Sequence, residues 1–153
     1  MIVTYKHADG TVEEVSADDL SAIESAAIES ATGEDWNQVE LSLRSQSPTA
    51  MRAVLWVFRK RAEPTLRFSA FDLPGWRRRL TARLDQAEVD DFVETLRKDH
   101  SPDSEEFASM IVHLRNLAHE SADVDAALST PEPGPKAAAE ADAGTSPESA
   151  PTS

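Results

Sequence analysis

Trp76-Arg77-Arg78-Arg79 with Arg83 is the stretch best equipped for chemistry. Guanidinium groups at this density bind carboxylates or phosphates, and a neighbouring indole can stack on a base or be buried beside them. Arg59-Lys60-Arg61 carry the same character upstream: from Arg52 to Arg83 lie nine of the fifteen Lys and Arg residues and only two acids, Glu63 and Asp72. This stretch carries +7 and the remainder −20, within a net charge of −13. Either acidic helices of the same fold neutralise it, or it is a docking face for an acidic partner. The overall charge argues against general nucleic-acid binding, and the segment lacks a helix-turn-helix pattern.

Other reactive groups are poorly arranged. His7, His100, His113 and His119 are scattered; on a helix, His113 and His119 are six positions apart and point in different directions, so no metal site is expected. The acid pairs Asp18-Asp19, Asp90-Asp91 and Glu105-Glu106 sit at or near predicted helix starts, where negative charge suits the macrodipole and stays solvated. There is no cysteine, no G-x-S-x-G and no phosphate-cradling glycine loop among only five glycines. An enzyme is the least favoured class, and no cofactor is expected.

Ser47 to Arg61, SPTAMRAVLWVFRKR, organises the rest. Ser47 is a helix N-cap, Pro48 fits the first helical position, and Pro64 prevents continuation. Met51, Val54, Leu55 and Phe58 recur at i, i+3, i+4 and i+7, and Trp56, Val57 and Ala62 widen the apolar face, which predicts a central helix. Ile2–Lys6 and Thr11–Val15, joined across Asp9-Gly10, predict a hairpin with Val3, Tyr5 and Val12 inward. Ser16-Ala17-Asp18-Asp19 resembles a capping box opening a helix through Leu20, Ile23, Ala27 and Ile28 to Gly33, followed by a short helix with Trp36, Val39 and Leu43 inward. Phe68, Phe71 and Leu73 are expected to cover the open end of the central helix.

Further helices are predicted over 75–85 (Trp76, Leu80 and Leu84 on one stripe), over 87–98 (Val89, Phe92, Val93 and Leu96 inward), and from Pro102 to about Glu120. The last has Ser101 as cap and Phe107, Met110, Ile111, Leu114 and Leu117 inward, with weak patterning from Ala122 to Leu128. From Ser129 to Ser153 there is no large apolar side chain and five of the nine prolines occur, which reads as a disordered Pro/Ala/Ser-rich tail. The expected fold is α+β, mostly α: an N-terminal β-hairpin packed on a small helical bundle (1–74), a charged helical region (75–128) and the tail (129–153). Trp36, Met51, Val54, Leu55, Phe58 and Phe71 are the expected core. No export signal or apolar run near ~18 residues is present, so a cytoplasmic protein is expected.

The order of hairpin, helix, Ile28-Glu29-x-x-Thr32-Gly33-x-x-Trp36, then Met51-Arg52-Ala53-Val54-Leu55-Trp56-Val57 with Arg59 and Arg61, then Phe68 with Phe71-Asp72-Leu73, resembles the small tail assembly chaperones of long-tailed phages of actinobacteria. The resemblance covers about the first half of the chain. It implies a non-virion protein of the host cytoplasm that binds the helical tape measure protein, with the tail tube protein a second candidate partner, and keeps it soluble during tail assembly. It also implies a short form beside a longer one made by programmed frameshifting. Pro135-Lys136 after Gly134 is compatible with a slippery heptamer there, which would replace the tail from about Ala137 onward. Such a chaperone needs an apolar groove with a charged rim. Arg59, Arg61, Trp76, Arg77, Arg78, Arg79 and Arg83 are the candidate rim. The alternatives are a DNA-binding or regulatory protein using residues 76–83, with Trp76 stacking, and a minor virion structural protein.

Overall fold

Strands Ile2–Lys6 (β1) and Val12–Ser16 (β2) pair antiparallel around the Asp9-Gly10 turn, in the computed structural model that describes residues 1–131. The Asp9 carboxylate accepts from the Thr11 amide at 2.9 Å and hydroxyl at 2.7 Å, and Gly10 takes φ +90°, where a Cβ is disfavoured. Val3 lies opposite Val15, so Val15 faces the core with Val3 and Tyr5. Val12 pairs with Lys6 on the other face and is 57% exposed, contrary to the sequence expectation; the period of two allows only one of Val12 and Glu13 to face inward. Glu13 takes that side.

A third strand, Leu80–Arg83, joins the free edge of β1 antiparallel and gives the sheet order β2-β1-β3. The helix predicted over 75–85 is therefore corrected. Only one turn forms, Trp76–Arg79 (α4), after Gly75 at φ 72°. The spacing Leu80, Ala82, Leu84 satisfies a strand as well as Trp76, Leu80, Leu84 satisfies a helix. Pairing decides between them, because two strands alone are marginal and the third buries Leu80 and Ala82 beside Tyr5 and Val3.

The first helix begins later than expected. Ser16 caps only a 3-10 turn, Ala17–Asp19, while the reciprocal box is Ser21 with Glu24 at the start of Ala22–Thr32 (α1). Ile28 is fully buried, Ile23 is 83% exposed, and Gly33 ends the helix at φ 76° as anticipated. Asp35 caps Trp36–Arg44 (α2), which buries Val39 and Leu43. Ser47 and Pro48 open the central helix Pro48–Ala62 (α3), whose Met51, Ala53, Val54, Leu55 and Val57 are at most 2% exposed. Phe71 and Leu73 are buried against it. Trp36, Phe58 and Phe68 are only half-buried at the core's edge, and Ala62 is exposed. The expectation that Trp36 and Phe58 lie within the core is corrected to this margin. Trp56 donates its indole N–H to the Leu66 carbonyl at 3.0 Å, which closes the loop after α3.

Between α2 and α3, Gln46 holds φ +61° and its amide bonds both backbone groups of Ala82, accepting at 3.1 Å and donating at 2.7 Å. It thereby seals the outer edge of β3. Gln46→Ala should lower stability by about 1–2 kcal/mol through loss of these bonds. Gln46→Gly should cost about 1 kcal/mol less, because glycine relieves the left-handed backbone; urea unfolding of the two variants checks the order.

The remaining helices form a second cluster. Asp85 caps Gln86–Asp99 (α5) in a reciprocal box with Glu88, and Val89, Val93 and Leu96 point inward. The next helix is Glu105–Leu117 (α6), capped by Ser104 instead of Ser101; Pro102 lies in the preceding turn, and Glu105 and Glu106 occupy the favourable first turn. It stops at Leu117 because the backbone of Leu84 takes over: the Leu84 amide donates to Leu117 O and the His119 amide donates to Leu84 O. A separate helix, Ser121–Ser129 (α7), buries Val124 and Ala127 where weak patterning foretold fraying. Leu84 packs against both clusters. The predicted tail beyond α7 and the Pro135-Lys136 position fall in 132–153, outside the described residues. No helix among the described residues is long and apolar enough to cross a membrane.

Candidate functional site

The arginines that dominate the sequence divide into two groups. Arg59, near the end of α3, grips Glu13 through Nε at 3.1 Å and Nη2 at 2.6 Å. Arg61 makes the same fork with Glu24, at 2.7 and 2.9 Å, and also donates to the Asp19 carbonyl. Arg52 lies 4.0 Å from the Phe68 ring centre and donates to Phe71 O, and Arg83 donates to Asn116 O. These four fasten the fold. The acids that meet Arg59 and Arg61 come from β2 and α1, so part of the basic stretch is neutralised internally.

Arg77, Arg78 and Arg79 of α4 have no ion pair among the described residues, and Trp76 beside them is 39% exposed, with the Arg77 guanidinium 5.5 Å from its ring centre. Trp76 also overhangs a small hollow lined by Pro48, Arg52, Leu73 and Leu80. A ridge of free cations results.

The apolar concavity lies elsewhere. An open groove of about 450 Å³ runs where α5 and α6 meet the end of β3. Leu84, Phe92, Leu96, Met110 and Leu117 supply its apolar lining. Phe92 and Met110 remain 36% and 40% exposed, although both fall on stripes the sequence assigned to the interior. A bundle of three short helices buries only the centre of each stripe, Val89, Val93 and Leu96 on α5 and Phe107, Ile111 and Leu114 on α6. The surplus width of the stripes was the readable signal for this surface. β3, four residues or roughly 13 Å long, separates the groove end from the arginine ridge.

One margin of the groove is electrically closed. The Met1 ammonium sits between Asp85 at 2.5 Å and Glu88 at 2.7 Å, and Arg44 reaches Glu88 at 3.8 Å. Burial alone would raise the Asp85 carboxyl, but the hydrogen bonds from the ammonium and the Glu88 amide outweigh it and hold it at about 2. Glu24, bonded first by Arg61 and then by the Ser21 amide, is likewise held at about 2 instead of 4.5. Both carboxyls bind protons more weakly in the folded chain than in the unfolded one. Their stabilisation is complete above the ordinary carboxyl range and is lost as pH falls from about 4.5 towards 2. Glu24→Gln should flatten this acid limb of the stability–pH curve while lowering stability at neutral pH; thermal melts from pH 2 to 7 read both.

Two histidines touch carboxylates, His7 with Glu13 at 3.3 Å and His119 with Glu14 at 3.0 Å, the latter tying the end of α6 to β2. Among the described residues no group of three or more His, Asp or Glu side chains is placed to hold a metal ion. The chain's equipment is a groove and a cationic ridge, both suited to binding. No protein-family model, curated protein or solved structure matches the chain.

Proposed function

We propose that this chain is a tail assembly chaperone that holds apolar helical segments of a tape measure protein until the tail tube forms around them. The observation that carries this reading is the α5–α6 groove, with Phe92 and Met110 presented at its mouth. An amphipathic helix docks by inserting side chains at i, i+3, i+4 and i+7 into such a groove, and each large apolar side chain fully buried contributes about 1.5–3 kcal/mol. The excess acidity of the chain favours solubility of a complex whose partner is otherwise aggregation-prone. Co-expression with a tape measure protein should move that protein into the soluble fraction and co-purify it. Continued insolubility, with nothing captured even when a frameshifted long form is supplied, overturns the reading.

The three arginines of α4, without an ion pair among the described residues, favour one rival, a phosphate-binding regulatory protein. Its helix is a single turn, too short to lie along a DNA groove as a recognition helix does. DNA affinity that falls steeply with salt supports the rival; absence of binding at low salt dismisses it.

A further inference from the structure

The charges around the groove are unequal on its two sides. At the end formed by Met1 and α2, the acids are already engaged: the Met1 ammonium pairs with Asp85 and Glu88, Arg44 reaches Glu88, and Asp18 is hydrogen-bonded to Asp85. Along α5 the margin carries Asp91 and Asp99, exposed and without an ion pair among the described residues, with Thr95 between them on the same helical stripe and His100 following. Lys98 lies within electrostatic reach of both aspartates, but its ammonium is bonded to Glu94 at 2.6 Å and it is not among the residues lining the groove. The groove therefore has an apolar floor, an end whose acids are already paired and one open acidic wall.

Asp91 and Asp99 are eight residues apart on one helix, so their carboxylates stand roughly 12 Å apart along the wall. Resting on the chaperone reading, we infer that the groove selects one chemical class of partner segment: an amphipathic helix whose apolar stripe is bordered on one side by two Lys or Arg residues seven or eight positions apart. Such a helix lies along α5, its apolar side chains on Leu84, Phe92, Leu96 and Met110 and its two cations on Asp91 and Asp99. An acidic or neutral border forfeits both pairs and, if acidic, is repelled. Apolar burial supplies affinity common to every amphipathic helix, and the acidic wall supplies discrimination.

The test uses the full chain and two synthetic peptides of roughly 18 residues, long enough to hold a helix on docking. Both carry the same leucine stripe; one has lysines at the two border positions and the other glutamates. Calorimetric titration at low salt should find the lysine peptide bound about tenfold more tightly, equivalent to ~1.4 kcal/mol. The order should reverse on the Asp91→Lys, Asp99→Lys double variant, whose substitutions are both exposed and leave the bundle interior untouched. Equal affinity of the two peptides, or an order unchanged by the double variant, overturns the acidic-wall inference and leaves the groove reading standing. If neither peptide binds, the inference falls; capture of a tape measure protein, measured separately, then shows whether the chaperone reading falls with it.

Discussion

Phe92→Glu together with Met110→Glu should reduce capture of the helical partner by at least about a hundredfold while leaving the chain folded. The two side chains line the same groove and are 36% and 40% exposed in the free protein, so much of their remaining surface is available to a partner. Completing the burial of the exposed part of these two side chains contributes about 1–2 kcal/mol, and burying an unpaired carboxylate in their place costs roughly 1–3 kcal/mol or more at each position, which together exceed a hundredfold. Glutamate is a good helix former, and neither position belongs to the buried set Val89, Val93, Leu96, Phe107, Ile111 and Leu114. Circular dichroism and a cooperative melt establish folding, and quantitative pull-down establishes capture. Undiminished capture by the folded double variant places the partner on another surface.

Leu114→Ala and Leu55→Ala should each lower stability by about 2–5 kcal/mol, yet with different consequences. Both leucines are fully buried, Leu55 in the α3 cluster and Leu114 in the α5–α7 cluster. The α5–α7 cluster has nine buried residues, two of them alanine, and meets the first cluster through Leu84, the backbone bonds of Leu84 to Leu117 and His119, and polar pairs such as His119 with Glu14. It is the smaller and more easily opened of the two. Leu114→Ala should therefore release amide exchange in α5, α6 and α7 through openings well below the global unfolding free energy, while α3 stays protected. Leu55→Ala should lower protection throughout. Uniform loss of protection in both variants identifies one cooperative unit.

How much of this was legible follows from where local signals were redundant. Ser47 and Pro48 at one end of α3, apolar spacing within it and Pro64 beyond it all agree, and the helix lies where they place it. Gly33 and Asp35 likewise fix the junction of α1 and α2. Local signals misled where a distant partner decided the outcome. Leu80–Arg83 is a strand because β1, almost eighty residues earlier in the chain, offers an open edge. α6 is shorter than its periodicity because Leu84 captures Leu117 and His119. α7 forms on a weak pattern because Val124 and Ala127 find a bundle to pack into.

The candidate site shows the same division. Sequence pointed to Arg59, Arg61, Trp76, Arg77, Arg78, Arg79 and Arg83 as a binding rim, because charge density is visible along a chain and pairing is not. Glu13 and Glu24 take Arg59 and Arg61, Arg83 is spent on the Asn116 carbonyl, and among the described residues Arg77, Arg78 and Arg79 are left beside Trp76 as an open ridge. Phe92 and Met110 were read as core since a periodic stripe does not disclose how wide a face the neighbouring helices will cover. Asp91 is legible only as one of an acid pair near a helix start and Asp99 belongs to no motif, and the groove between them and α6 exists only once β3 and α6 have met at Leu84.

The most direct test of helix capture in the α5–α6 groove is an amide hydrogen-exchange footprint of the full chain, alone and in complex with the proposed helical partner. Capture in the groove adds protection across Gln86–Asp99 and Glu105–Leu117, centred on Phe92 and Met110, with Trp76–Arg79 unchanged. Protection confined to Trp76–Arg79, or no complex to measure, contradicts it.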